Sequence, residues 1–103
     1  MAEIEDGRKF EKIALDFLKQ NNLPEAESNF IQALTHMKQS GDEEGQAYVL
    51  GNLGNLCFQS RRLDKAEEYY GKALTYMEKV NDIRGIESSL GNLGSVLFYK
   101  GNL

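Results

Sequence analysis

Two ridges of hydroxyl and amide side chains carry most of the chemistry this chain offers. Tyr48, Asn52, Asn55 and Gln59 stand at i, i+4, i+7 and i+11, and Ser88, Asn92, Ser95 and Tyr99 repeat that spacing 40 residues later. On a helix this spacing lines all four side chains along one face. Asparagine and glutamine each supply donors and an acceptor, so a row of them can pair with the backbone of another chain without demanding a sequence. Tyrosine adds apolar area with a polar tip. The chemistry is that of recognition. Any solvated face needs polar residues, but the return of Asn52 as Asn92 favours a binding groove.

Residues suited to bond making are scarce. Cys57, the single cysteine, occupies an apolar helical stripe, where a thiol acts as a small hydrophobe. His36 is the only histidine and has no carboxylate or cysteine at a ligand spacing, so no metal site is expected. The acidic clusters Asp42-Glu43-Glu44 and Glu67-Glu68 fall at turns and helix starts, where the helix dipole accounts for them. Neither a nucleophile elbow, a phosphate loop nor a zinc-protease motif occurs. The reading is a non-enzymatic chain without a cofactor.

Bulk properties agree. The chain has 103 residues, 41% hydrophobic and 27% charged, with a net charge of −4. A pI near 5.0 argues against nucleic acid, which needs a basic footprint. No run reaches the roughly 18 apolar residues of a membrane span. Glu3, Glu5 and Asp6 make the N-terminus unlike a signal peptide. These features point to a cytoplasmic chain that binds neither nucleic acid nor membrane.

The elements that must position the ridges are helices. Phe10, Ile13, Ala14 and Phe17 form an i, i+3, i+4, i+7 stripe, which returns as Leu50, Leu53, Gly54, Cys57 and as Leu90, Leu93, Gly94, Leu97. A second type of helix carries Ala26, Phe30, Ala33, Leu34, Met37 and then Ala66, Tyr70, Ala73, Leu74, Met77. Leu50-Gly51-Asn52-Leu53-Gly54 recurs unchanged as Leu90-Gly91-Asn92-Leu93-Gly94, again 40 residues on. Such periodicity marks a stacked array in which each unit leans on its neighbours. Five helices are predicted, over about 6–20, 24–39, 44–60, 64–80 and 85–100, with Pro24 suited to a first helical turn. Repeat 1 covers about 7–46, repeat 2 about 47–86 and a partial third about 87–103, one domain over 1–103.

A first helix of large–Leu–Gly/Ala–large spacing (Leu50, Leu53, Gly54, Cys57) and a second with Ala66, Tyr70 and Ala73 resemble the tetratricopeptide repeat. That repeat is usually 34 residues long and closed by proline. The longer period and absent proline resemble the 40-residue Leu-Gly-Asn subclass, seen in adaptors that link polarity and spindle proteins, and loosely in kinesin light chains and bacterial signalling regulators. The resemblance implies an all-α, right-handed superhelical array of antiparallel helix pairs, about two and a half units, acting as a scaffold or adaptor. It also places the first helices, and with them the polar ridges, on the concave side. Tyr48, Asn52, Asn55, Gln59, Asn92, Ser95 and Tyr99 would there face a peptide or helix of a protein partner.

In the first copy the ridge positions are Arg8, Lys12, Leu15 and Lys19, a basic end suited to an acidic segment of that partner. The carboxylate clamp of chaperone-binding relatives falls on Glu11 and Leu15 here, so chaperone-tail binding is not expected. Glycine costs roughly 1 kcal/mol against alanine inside a helix. Gly54 and Gly94 are explained by close packing; Gly51 and Gly91 match Glu11 and suggest bare backbone kept clear for a ligand. The last helix should expose Leu90, Leu93 and Leu97 with Phe98 beside them, an apolar face of an unfinished array that invites self-association.

Overall fold

A computed structural model describes residues 2–101, with residues 2–4 described by their backbone alone. The chain forms five α-helices: α1 (Ala2–Lys19), α2 (Leu23–Ser40), α3 (Glu43–Gln59), α4 (Leu63–Lys79) and α5 (Ile83–Tyr99). No strand occurs among the described residues. The expected helices are all present. Those at 44 and 85 begin one to two residues earlier, because Asp42 and Asp82 act as N-caps and each accepts the backbone N–H of a glycine three residues on, Gly45 and Gly85, at 3.0 Å.

The turns obey a half-repeat. Residues 21, 41, 61, 81 and 101, every twentieth, have positive φ: Asn21 58°, Gly41 72°, Arg61 63°, Asn81 58° and Gly101 77°. The next residue's N–H returns to a carbonyl five back, as in Asn22 to Phe17 (2.9 Å), Asp42 to Met37 (2.9 Å), Arg62 to Cys57 (2.8 Å) and Asp82 to Met77 (3.0 Å). This left-handed closure satisfies the carbonyls a helix end leaves unpaired. Glycine and asparagine accept it easily, whereas the exposed Arg61 is held there by the hydrogen bonds that close the turn, Arg61 to Phe58 at 3.1 Å and Arg62 to Cys57 at 2.8 Å.

Packing runs between sequence neighbours, α1 with α2, α2 with α3, α3 with α4 and α4 with α5, and α1 also touches α3. The molecule measures 44 × 31 × 18 Å. One core joins Ala14, Ala26, Phe30, Ala33 and Met37 to Val49, Leu53 and Leu56; a second joins Cys57, Ala66 and Tyr70 to Val96. Helix α3 therefore buries two faces, one toward α1 and α2 and one toward α4. Only Tyr48, Gly51, Asn52, Asn55, Phe58 and Gln59 keep solvent access beyond its first turn.

Glycine spacing sets the closest approaches. A Cβ on Gly54 would lie 2.6 Å from the ring of Tyr70, and one on Gly85 would lie 2.2 Å from the Met77 sulfur. Met37 sits the same way on Gly45, where the gap would be 2.8 Å. Methionine's flexible thioether fills the space these glycines open.

Candidate functional site: the groove between α3 and α5

Because α3 and α5 both pack on α4, a groove of about 330 Å³ runs between them. Its walls include Tyr48, Gly51, Asn52 and Asn55 from α3 and Arg84, Gly85, Ser88, Ser89 and Asn92 from α5 and its start, with Met77 of α4 and the cap Asp82 completing it. The repeated ridges thus meet across one opening. Tyr48, Asn52, Asn55 and Asn92 line it as a set; Gln59, Ser95, Tyr99 and Lys12 lie outside its lining, all four exposed. Tyr99 instead meets Phe58 and Phe98 edge-on, with ring centroids 5.5 and 5.6 Å apart.

Two ridge residues also hold the structure together. The Tyr48 hydroxyl donates to Asp82 at 2.9 Å, tying α3 to the cap of α5. That bond raises the Tyr48 phenol above its usual range, and Asp82 is held below the usual carboxylate range by the Gly85 N–H and then by Tyr48. The first copy uses the same device with other chemistry: Arg8 donates to Asp42 at 3.0 and 3.2 Å. Asn55 accepts a short hydrogen bond from the Tyr70 hydroxyl, so its amide oxygen is already engaged. Burial, and secondly the neighbouring Cys57, pushes the Tyr70 phenol up to about 12.

Some expectations need correction. Arg8 does not form a free basic end, because it is committed to Asp42, Glu44 and Glu11; Lys12 and Lys19 stay exposed. Leu15 joins the core rather than the ridge. On α5, Leu90 and Phe98 are 54% and 66% exposed, as expected, but Leu93 and Leu97 are half-buried. Leu93 packs on the core formed by Cys57, Tyr70 and Val96, because α5, like α3, uses one face against the preceding helix pair.

Asp82, Arg84 and Met77 are groove residues that the ridge spacing does not reveal. Their signal was partly available: Asp42 and Asp82 stand one period apart, each three residues before a glycine. Gly51 and Gly91 have open space where a Cβ would point, so packing does not require either glycine, and Gly51 lines the groove.

Cys57 is fully buried, and burial pushes its thiol up, away from the reactive thiolate. His36 stacks on Phe10 at 5.2 Å. Among the described residues no group of histidine, cysteine and carboxylate side chains is placed to hold a metal, and no helix is long and apolar enough to cross a membrane.

Antiparallel helix pairs stacked in register, with a side-chain-lined groove between equivalent helices, define a helical-repeat interaction domain. The tetratricopeptide repeat family model matches residues 7–79, and the chain belongs to that family. Its repeats generally mediate protein–protein interaction, and the family is typically non-catalytic. A search of curated proteins gave no match.

Proposed function

We propose that this domain holds a peptide or helix of a protein partner in the groove between α3 and α5, as an adaptor of the 40-residue Leu-Gly-Asn subclass. The convergence of Tyr48, Asn52, Asn55, Ser88 and Asn92 on one opening carries this reading. Asn52 and Asn92 are the best placed to contact a partner's backbone, since Asn55 and Tyr48 each have an internal partner. The bare backbone of Gly51 lets a bound chain approach between them. The 40-residue period and the absence of a closing proline support the subclass, and the repeat units of about 7–46 and 47–86 follow from that period.

The test is selection of binding peptides from a displayed random library, followed by titration against the Asn52→Ala/Asn92→Ala double variant. Two lost hydrogen bonds of about 0.5–1.5 kcal/mol each should weaken binding roughly 5- to 150-fold. The melting temperature should stay nearly unchanged, as for surface substitutions within about 0.5 kcal/mol. Undiminished binding by the double variant would overturn the role given to the groove.

A second reading is a structural self-assembly unit whose contact is α5. The exposure of Leu90 and Phe98 on that helix favours it. Sedimentation of the chain alone tests it, and a monomer across the accessible concentration range would exclude it.

A further inference from the structure

The repeat supplies an internal template for what the outer face of α5 can hold. On α3, Leu50, Gly54 and Cys57 are buried, and α4 lays the Tyr70 ring on Gly54, where a Cβ would stand 2.6 Å away. The same positions on α5 are Leu90, Gly94 and Leu97, and there a Cβ on Gly94 would meet nothing within 4 Å. Among the described residues no ring occupies that seat. Four residues on from Gly94, one helical turn away, Phe98 is 66% exposed. One helix surface therefore carries both the seat and a ring to fill it.

We propose that a second copy of this chain covers α5, the two α5 helices packing antiparallel about a two-fold axis with Phe98 of each copy on Gly94 of the other. This pairing rests on the self-assembly reading above and gives it a geometry. The α3–α4 pair is itself antiparallel, so the ring-on-glycine contact already exists inside the molecule in that orientation. A two-fold axis makes the contact twice, which is what self-complementary surfaces allow.

Charge and the opposite end of the molecule favour a closed pair over a stack. Between Ile83 and Phe98 the face bears Arg84 and Glu87, both exposed near the start of α5, so an antiparallel pair sets these charges of the two copies at opposite ends. Helix α3 meets the preceding pair through Gln46, Val49, Leu53 and Leu56, all buried. The matching positions of α1 are Asp6, Lys9, Ile13 and Asp16, of which Asp6, Lys9 and Asp16 are exposed. Charges stand where a head-to-tail neighbour would need apolar contact. A filament is disfavoured and a dimer follows.

Sedimentation of the 103-residue chain at roughly 100 μM, well above the micromolar range in which standard-sized interfaces associate, tests the pairing. Wild type should sediment as a dimer. Phe98→Glu and Gly94→Leu should each weaken association by at least about tenfold, with unchanged helicity by circular dichroism, because both sites are open in the single chain. Should Phe98→Glu lose helicity, Gly94→Leu alone decides, since it adds a better helix former in open space. A wild-type dimer unaffected by Gly94→Leu overturns the ring-on-glycine pairing while self-assembly stands. Oligomers larger than a dimer overturn the two-fold axis. A wild-type monomer removes both, and its capture of a synthetic peptide of residues 62–81 would assign the face to a separate helix instead.

Discussion

Leu50-Gly51-Asn52-Leu53-Gly54 and Leu90-Gly91-Asn92-Leu93-Gly94 are identical in sequence and opposite in circumstance. In α3 the first leucine is 2% exposed and the last glycine lies under a tyrosine ring; in α5 the equivalent leucine is 54% exposed and the glycine has open space. The asparagines, in contrast, do the same thing in both copies and face one groove. A residue's energetic role in a stacked array is thus set by which neighbours are present, while its place on the groove wall recurs from copy to copy. The two copies form a natural control pair.

The largest contrast is expected at the leucines. Measured dilute, with the chain kept monomeric, Leu50→Ala should cost about 2–5 kcal/mol in denaturant unfolding, the range for emptying a packed site, whereas Leu90→Ala should stay within about 0.5 kcal/mol. Comparable losses at both would mean that α5 is covered even in the single chain.

At the glycines the sign should change. Gly54→Ala forces a methyl against a ring that is buried and tied to Asn55, and overpacking of about 1–3 kcal/mol outweighs the roughly 1 kcal/mol gained in helix propensity. Gly94→Ala meets no obstacle and should stabilise by up to about 1 kcal/mol. Thermal melts of the two variants, measured dilute, test this directly.

Smaller effects belong to the turns that follow each copy. Arg61 holds φ 63° where the equivalent Gly101 holds 77°. Replacing Arg61 by glycine should relieve left-handed strain and stabilise by about 0.5–1 kcal/mol, part of the gain being lost to glycine's greater freedom when unfolded. A decrease in stability would show that the Arg61 side chain contributes more than its backbone costs.

The smallest effect is in the acid limb. Asp82 has a depressed carboxyl, so its contribution is present above the ordinary aspartate value of about 3.9 and is lost as pH falls through the lower folded-state value. Asp82→Asn should therefore lower the melting temperature at neutral pH and flatten its decline below about pH 4. An unaltered acid profile would assign that decline to other carboxylates.

Much of this was legible in the sequence because the array writes its features twice. The 40-residue period gave the helices, their two types and the groove residues Tyr48, Asn52, Asn55 and Asn92. Asn21, Gly41 and Asn81 are turn residues by type; Arg61 is not, and its left-handed backbone shows only in the closing hydrogen bonds to Phe58 and Cys57. Arg8 read as a free cation because its partner Asp42 lies 34 residues away, beyond any local pattern. Helical spacing puts Leu93 and Leu97 in one stripe with Leu90, whereas α5 lies against α4 on one side and is open on the other. Gln46, buried and donating to the Asp42 and Met37 carbonyls, occupies a position taken by apolar Ile86 in the next copy, and helical periodicity alone did not single it out.

The twentieth-residue turns have a kinetic consequence. Each helix closes with its own local hydrogen bonds and then docks chiefly on its sequence neighbours, so the chain assembles like a zip fastener, with short loops to close and a fast folding rate. A fastener opens from its ends. Helix α5 is clasped mainly by α4, by the Tyr48–Asp82 bond and by Lys100 on Asp64 and Glu67, and amide protons there should exchange before those of α3. One wall of the groove is then the part of the molecule that frays most readily, and any partner lying across both walls acts as the slider that holds it shut.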